Sequence, residues 1–340
     1  MKASPSSPCA RLTILVALAL CTANSAPKKR PIAGVNLASG EFNSKRKPGT
    51  YGKDYVYPDA KVAAPFVASG MKIVRVPILW ERVQPVASQP LARDEMRRLD
   101  KALAAMNNFE TIILDVHNYG KLGGQRLDHL PDGSMLLANL WRQLAEHYKG
   151  NDKIAFGLMN EPNGIPAQTW RGMVDDTVAA IRRTGARNLI LVPGTSWTGA
   201  HSWTRGGPNS NAAAFTGFRD PGGNFAFELH QYLDADNSGT TEQCVEPAVA
   251  ASRLKPATEW LRKNKYRGFL GEFGAASNAP CLEALTMLLR QVEQGSDVWM
   301  GWAYWAGGAW WKRYPMSIQP EAGQQKPQMA VLARFIGAGR

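Results

Sequence analysis

Short runs of apolar and β-branched residues recur along the chain, and most are separated by stretches with helical spacing. Eight such runs stand out, at 32–37, 72–78, 111–118, 153–160, 189–194, 225–233, 267–272 and 297–305. Between them, Met96, Leu99, Leu103 and Met106 share one face of a predicted helix over 94–106. Leu136, Leu137, Leu140, Trp141 and Leu144 do so over 134–148, and Trp170, Met173, Val174, Val178 and Ile181 over 169–184. Leu282, Leu285, Leu288, Leu289 and Val292 repeat the pattern over 281–294. The spacing is that of amphipathic helices, whereas the unbroken apolar runs read as strands buried on both faces. Strands alternating with helices predict a parallel sheet, and eight such units predict a single-domain α/β fold, the (β/α)8 (TIM) barrel. The surplus length falls in loops at 40–57 and 195–224. An open doubly wound sheet is the alternative, but no Gly-x-Gly-x-x-Gly follows the first strand.

The first 26 residues depart from this pattern. Lys2 and Arg11 precede or open an apolar stretch at 12–20, and Ala23-Asn24-Ser25-Ala26 supplies small residues. This predicts a secretory signal over 1–26 and a catalytic-size domain over 27–340. A nine-residue apolar stretch is too short to span a bilayer. A lipoprotein anchor at Cys21 is the lesser alternative, because Leu20 is bulky where a small residue belongs. Of four cysteines, Cys244 and Cys281 lie beyond the signal. Export favours one disulfide between them, and two buried thiols are the alternative. The net charge of +12 falls to about +10 without the signal, but Lys and Arg are scattered and no nucleic-acid motif occurs. The expectation is a secreted monomer with no nucleic-acid or membrane partner.

Chemistry concentrates where the predicted strands end. Arg75 closes the second run, and Asp115, His117, Asn118 and Tyr119 close the third. Asn160-Glu161-Pro162 follows the fourth, His230-Gln231-Tyr232 the sixth, Glu272 the seventh, and Tyr304-Trp305 the eighth. In a (β/α)8 barrel these ends meet on one face, where active sites form. Glu161 and Glu272 are costly to bury without a task, and two carboxylates converging on one cleft suit glycosidic-bond cleavage.

The ordered set Ile73-Val74-Arg75-Val76-Pro77, Asp115-Val116-His117-Asn118-Tyr119, Asn160-Glu161-Pro162, His230-Gln231-Tyr232-Leu233-Asp234, Gly271-Glu272-Phe273-Gly274 and Trp305 resembles glycoside hydrolase family 5. The stretch from Leu233-Asp234 to Gly239-Thr240 resembles the subgroup containing many secreted fungal and bacterial endo-β-1,4-glucanases. The resemblance implies a barrel, retention of anomeric configuration, a β-glucan substrate and no metal or other cofactor. It implies Glu161 as acid/base and Glu272 as nucleophile. It further implies that Asn160 binds the sugar 2-hydroxyl, that Arg75 and Tyr232 hold Glu272, and that His117 and His230 orient hydroxyls and Glu161. Trp305 matches the family's sugar platform.

Other residues are weighed on their own. Asp115 reads as a structural acceptor inside its strand. Asn118 is a supporting residue of the site. Of eleven tryptophans, Trp141, Trp170 and Trp260 read as helix packing, whereas Trp80, Trp197, Trp203, Trp310 and Trp311 follow strands and offer flat faces to sugar rings. Trp80 and Trp197 are taken as cleft residues. Mannan, xyloglucan and mixed-linkage glucan are alternative polymers. A catalytically silent carbohydrate-binding barrel is opposed by the two intact glutamates. A metal-dependent hydrolase is opposed by the lack of His-x-His or His-Glu-x-x-His.

Overall fold

A computed structural model describes Met1 and residues 30–337; the expected signal, with its Cys21 alternative, otherwise lies outside the described residues. Eight parallel strands close into one barrel. They are β1 (Ile32–Leu37), β2 (Ile73–Ile78), β3 (Thr111–Val116), β4 (Ile154–Gly157), β5 (Ile190–Pro193), β6 (Phe225–His230), β7 (Gly268–Glu272) and β8 (Trp299–Gly307). Each pairs with its sequence neighbours, and β1 closes onto β8. All eight expected strands are present. Several stop sooner than their apolar runs suggest, β3 at Val116 and β4 at Gly157, whereas β8 extends past Trp305.

The expected helices form at Arg93–Ala105, Gly133–Tyr148, Ala167–Arg183 and Ala279–Gln294. Two more, Ala60–Ala68 and Lys255–Asn264, complete positions that the periodicity left open. Asp59 caps the first by accepting from the Val62 amide, and Asn278 caps the helix at Ala279 by accepting from the Cys281 amide. Trp141 and Trp170 pack beneath these helices with no exposure, and their indole N–H groups donate to the carbonyls of Leu158 and Pro193 at 2.8 Å. Each buried ring thereby satisfies its one polar atom while clamping a helix to a strand end.

The interior has its own period. Ile73, Ile113, Ala155, Leu191, Ala226, Phe269 and Ala303 form one apolar cluster, and half-buried Ile32 packs on it. Every strand thus contributes one residue to a plug at the lower end. Two residues further along, Arg75, Asp115 and Glu228 point into the same interior, because successive inward residues alternate. Among the described residues, no helix is long and apolar enough to cross a membrane.

Candidate active site

Arg75 is the hub of the upper interior. It has no exposure. Its Nη1 donates to Glu272 Oε1 at 2.8 Å and to Asn36 Oδ1 at 3.0 Å, and its Nη2 donates to Asn160 Oδ1 at 2.8 Å. Asp115 Oδ1 lies 3.0 Å from Nη2 and Glu228 Oε1 lies 2.8 Å from Nε; both are ion contacts without the alignment of a hydrogen bond. Burial alone would lower the guanidinium's proton affinity, but Asp115, Glu228 and Glu272 together carry it above its ordinary value.

Glu272 ends β7 and is buried. Tyr232 donates to its Oε2 at 2.8 Å, so each carboxylate oxygen has a fixed partner. Burial raises its pKa above the ordinary carboxylate value. The charges of His230 and Arg75 pull it back, and nearby Glu161 pushes it up again.

Glu161 lies just past β4 at φ 42°, a left-handed conformation uncommon for a residue with a side chain. His230, the last residue of β6, places Nδ1 2.8 Å from Glu161 Oε1 and 3.6 Å from Glu272 Oε2. Its Nε2 lies 3.4 Å from Glu228 Oε1. Burial disfavours the imidazolium, but Glu272, Glu161 and Glu228 outweigh it and lift the pKa to about 10. One ligand-type atom each from Glu161, His230 and Glu272 lies within 4.8 Å of the others. That spacing suits a metal ion, but a charged imidazolium already supplies the cation there, and an ion binding the trio would have to displace its proton. The same distance brings oxygens of the two carboxylates into the range of a retaining glycosidase, well short of the inverting separation.

The remaining expected residues divide. His117 Nδ1 donates to Asp115 at 2.8 Å, and its ring stacks on Trp305 with centroids 5.5 Å apart. The Asn160 amide nitrogen lies 3.1 Å from His117 Nε2. Trp305 is 8% exposed and meets Trp311 edge-on, which in turn stacks on Tyr314. Trp197 is 54% exposed beside the cleft. Trp80, in contrast, is not a cleft residue. It is fully buried in a one-turn helix, Trp80–Val83, with its indole N–H donating to Gln84. The chain turns inward directly after β2, so the ring packs in the core. Trp203 is likewise buried, against Phe215, Phe227 and Trp260. Asn118 accepts from the Trp80 amide and donates to Glu81, so it braces that same helix rather than the carboxylates.

A cavity of about 490 Å³ opens beside Glu161, lined among others by Tyr119, Trp197, His201, Tyr232 and Asn237. Tyr119, Glu161, Ser196, Trp197 and Asn237 all line it and all have positive φ. Backbone strain of this kind persists where the surroundings over-determine it, as at binding sites. Asp234 organises the neighbouring loop by accepting from the Gly239 and Thr240 amides at 3.1 and 3.0 Å. A side chain at Gly239 would lie 2.5 Å from the Tyr232 ring, so glycine is required where the loop crosses it. That loop is tied down by the Cys244–Cys281 disulfide, with Cα atoms 5.1 Å apart. The bridge joins the loop after β6 to the first turn of the helix after β7.

Sequence reading missed Asn36, Glu41 and Glu228. Glu41 is buried beside Ser39, whose amide donates to it, and burial lifts its pKa. Glu228 lies within an apolar run rather than at a strand end; its parity with His230 was the available signal.

Known proteins match this arrangement. The family model for cellulase (glycosyl hydrolase family 5) matches residues 32–308. Endo-beta-1,4-glucanase B of Emericella nidulans is 33% identical over 318 residues, covering 92% of this chain and 94% of that protein. Among solved structures, XacCel5A in complex with cellopentaose aligns with a TM-score of 0.87 at 49% identity, covering 90% of this chain and 99% of that one. Endoglucanase Cel5A of Pseudomonas stutzeri in complex with cellobiose aligns with a TM-score of 0.82 at 33% identity, covering 90% and 92%.

Proposed function

Since the chain belongs to the cellulase family, glycosyl hydrolase family 5, we propose that it is a retaining endo-β-1,4-glucanase with Glu272 as nucleophile and Glu161 as acid/base. The observation that carries this reading is the approach of their carboxylate oxygens to within 4.8 Å beside one cavity. The Glu272 carboxylate attacks the anomeric carbon while Glu161 gives a proton to the glycosidic oxygen, so the bond to the leaving chain breaks as the glycosyl ester forms. Water then attacks the same carbon, Glu161 takes its proton, and Glu272 leaves as carboxylate. Two inversions give net retention.

Each supporting group has a task. Arg75 and Tyr232 occupy both oxygens of Glu272 and fix its angle of attack. The charges of His230 and Arg75 work against the burial that favours its neutral form. His230 spans the two carboxylates and orients Glu161. Trp305 and Trp197 offer flat faces to sugar rings, which suits binding along a chain rather than at its end. The relatives named endo-beta-1,4-glucanase and the neighbours solved with cellopentaose and cellobiose support a β-1,4-glucan as substrate. The signal-like residues 1–26 support export of the domain over 27–340.

Glu272→Ala tests the reading. Loss of the covalent catalyst should lower turnover by several powers of ten. Azide should partly restore cleavage of an activated aryl cellobioside and yield the inverted glycosyl azide. Activity like the wild type's in this variant removes the assignment. Wild-type digestion should thin a soluble cellulose derivative before many reducing ends appear; viscosity falling only in step with released cellobiose would mean exo attack.

A further inference from the structure

One carboxylate in the upper interior has no part in the bond-breaking steps. Glu228 lies on β6 two residues before His230 and is 1% exposed. Its Oε1 stands 2.8 Å from Arg75 Nε and 3.4 Å from His230 Nε2, and its Oε2 has no hydrogen-bond partner. The adjacent strand makes room for it. A Cβ on Gly271 would lie 2.3 Å from Glu228 Oε1 and 2.8 Å from its Cγ. β7 therefore carries glycine one residue before Glu272. Taking a carboxylate out of water is expensive even beside cations, and one oxygen of Glu228 has no hydrogen-bond partner, so this seat is held against a cost.

Resting on the assignment of Glu161 and Glu272 above, we propose that Glu228 is a positioning residue for the reaction: it holds Arg75 and His230, the two cations that contact the catalytic carboxylates, and so sets the pH range in which they work. Arg75 is shared among Asp115 from β3, Glu228 from β6 and Glu272 from β7, with Asn36 from β1 and Asn160 beyond β4 on its remaining donors. His230 is shared among Glu161, Glu228 and Glu272. His117, Tyr119, Tyr232, Tyr314 and Glu41 are the further titratable groups coupled to this cluster.

The direction of the effect follows from charge. Burial would push Glu228 up, but Arg75 and His230 outweigh it and hold the carboxyl below its ordinary value, so it is an anion at working pH. Removing that negative charge lowers the proton affinity of every neighbour. Glu272 then stays ionised to lower pH, and His230 gives up its proton at lower pH. Both limbs of the activity profile move the same way.

The experiment is the pH dependence of kcat/KM on an aryl cellobioside for the wild type and Glu228→Gln. The whole bell should move to lower pH by about one unit, on the scale of a neighbouring charge. Glu228→Asp keeps the charge and should return most of the shift. Gly271→Ala forces Glu228 off its seat without altering it and should shift the bell in the Glu228→Gln direction. If Glu228→Gln fails to fold, these two variants still decide the matter. The His230 imidazole, followed by NMR, should titrate at lower pH in Gly271→Ala or Glu228→Gln than in the wild type. A bell that loses height but keeps its position, with the His230 midpoint unmoved, overturns the proposal. If instead Glu272→Ala and Glu161→Gln stay active, the catalytic assignment itself has failed; inactive Glu272→Ala with an unmoved Glu228→Gln bell overturns only the positioning role.

Discussion

The two ends of the barrel interior are built by the same strands and pointed the same way, yet they are chemical opposites. The lower end is a plug of Ile73, Ile113, Ala155, Leu191, Ala226, Phe269 and Ala303. Two residues on, the same inward positions hold Arg75, Asp115 and Glu228, as buried as the plug below. Burying apolar surface stabilises, whereas burying an ion cluster is at best neutral against a hydrophobic replacement. The lower end therefore holds the barrel closed, and the upper end spends stability on chemistry. The same division shows in the backbone, since left-handed residues gather at the cleft.

The largest expected effect sharpens the chemical side of this contrast. Glu161→Gln should lower turnover of polymers by about 10²–10⁴-fold, because an alkoxide leaving group needs a proton. Aryl glycosides with good leaving groups should keep their first step, seen as a retained burst. Equal losses on both substrates would mean that Glu161 is not the acid.

Next come paired losses of stability. Arg75→Met leaves Asp115, Glu228 and Glu272 as buried anions without their cation and should cost about 3–5 kcal/mol in urea denaturation. Ile113→Ala below should cost a similar ~2–5 kcal/mol as a cavity. The two differ in their response to pH. His230 has a folded pKa of about 10 against an ordinary 6.5, so its contribution is fully present below about 6.5 and lost as pH rises through about 10. Ile113→Ala should keep that decline in stability with rising pH, and Arg75→Met should alter it. Identical slopes in both variants would break the contrast.

The smallest of these effects concerns the rim of the upper end. The Cys244–Cys281 bridge closes a loop of 37 residues between two cleft-side segments. Its loss should cost about 2–4 kcal/mol in the chain-entropy description. Denaturation midpoints of oxidised protein and of Cys244→Ser/Cys281→Ser measure it, and equal midpoints would show that the rim needs no staple.

Much of this was legible in the sequence because barrel strands are buried on both faces and leave uninterrupted apolar runs. The order Arg75, His117, Glu161, His230, Glu272 along those runs placed the cluster on one face of the fold. Other features were not legible, three of them for reasons that can be named. Glu228 sits inside an apolar run, where attention to strand ends passes over it. Trp80 follows a strand like Trp197 does, but a one-turn helix carries it inward, and no local pattern distinguishes the two. The helix Ala60–Ala68 contains Pro65, which disguises its periodicity.

Arg82 is a central tie of the segment between β1 and the helix at Ala60, beside the Tyr55 and Tyr57 hydroxyls that donate to Glu95. Arg82 donates to the carbonyls of Gly40, Phe42 and Pro48, and its guanidinium lies 3.8 Å over the Tyr55 ring. Lys47 adds an ion pair to neighbouring Glu81 at 2.7 Å. In surroundings rich in proteases, durability depends less on global stability than on whether such a surface stretch ever lets go. Arg82→Met should turn residues 40–58 into the first site of nicking by a broad-specificity protease while the barrel stays folded. Mass spectrometry of the early fragments would show it, and a digestion pattern unchanged from the wild type would mean that the segment is held elsewhere.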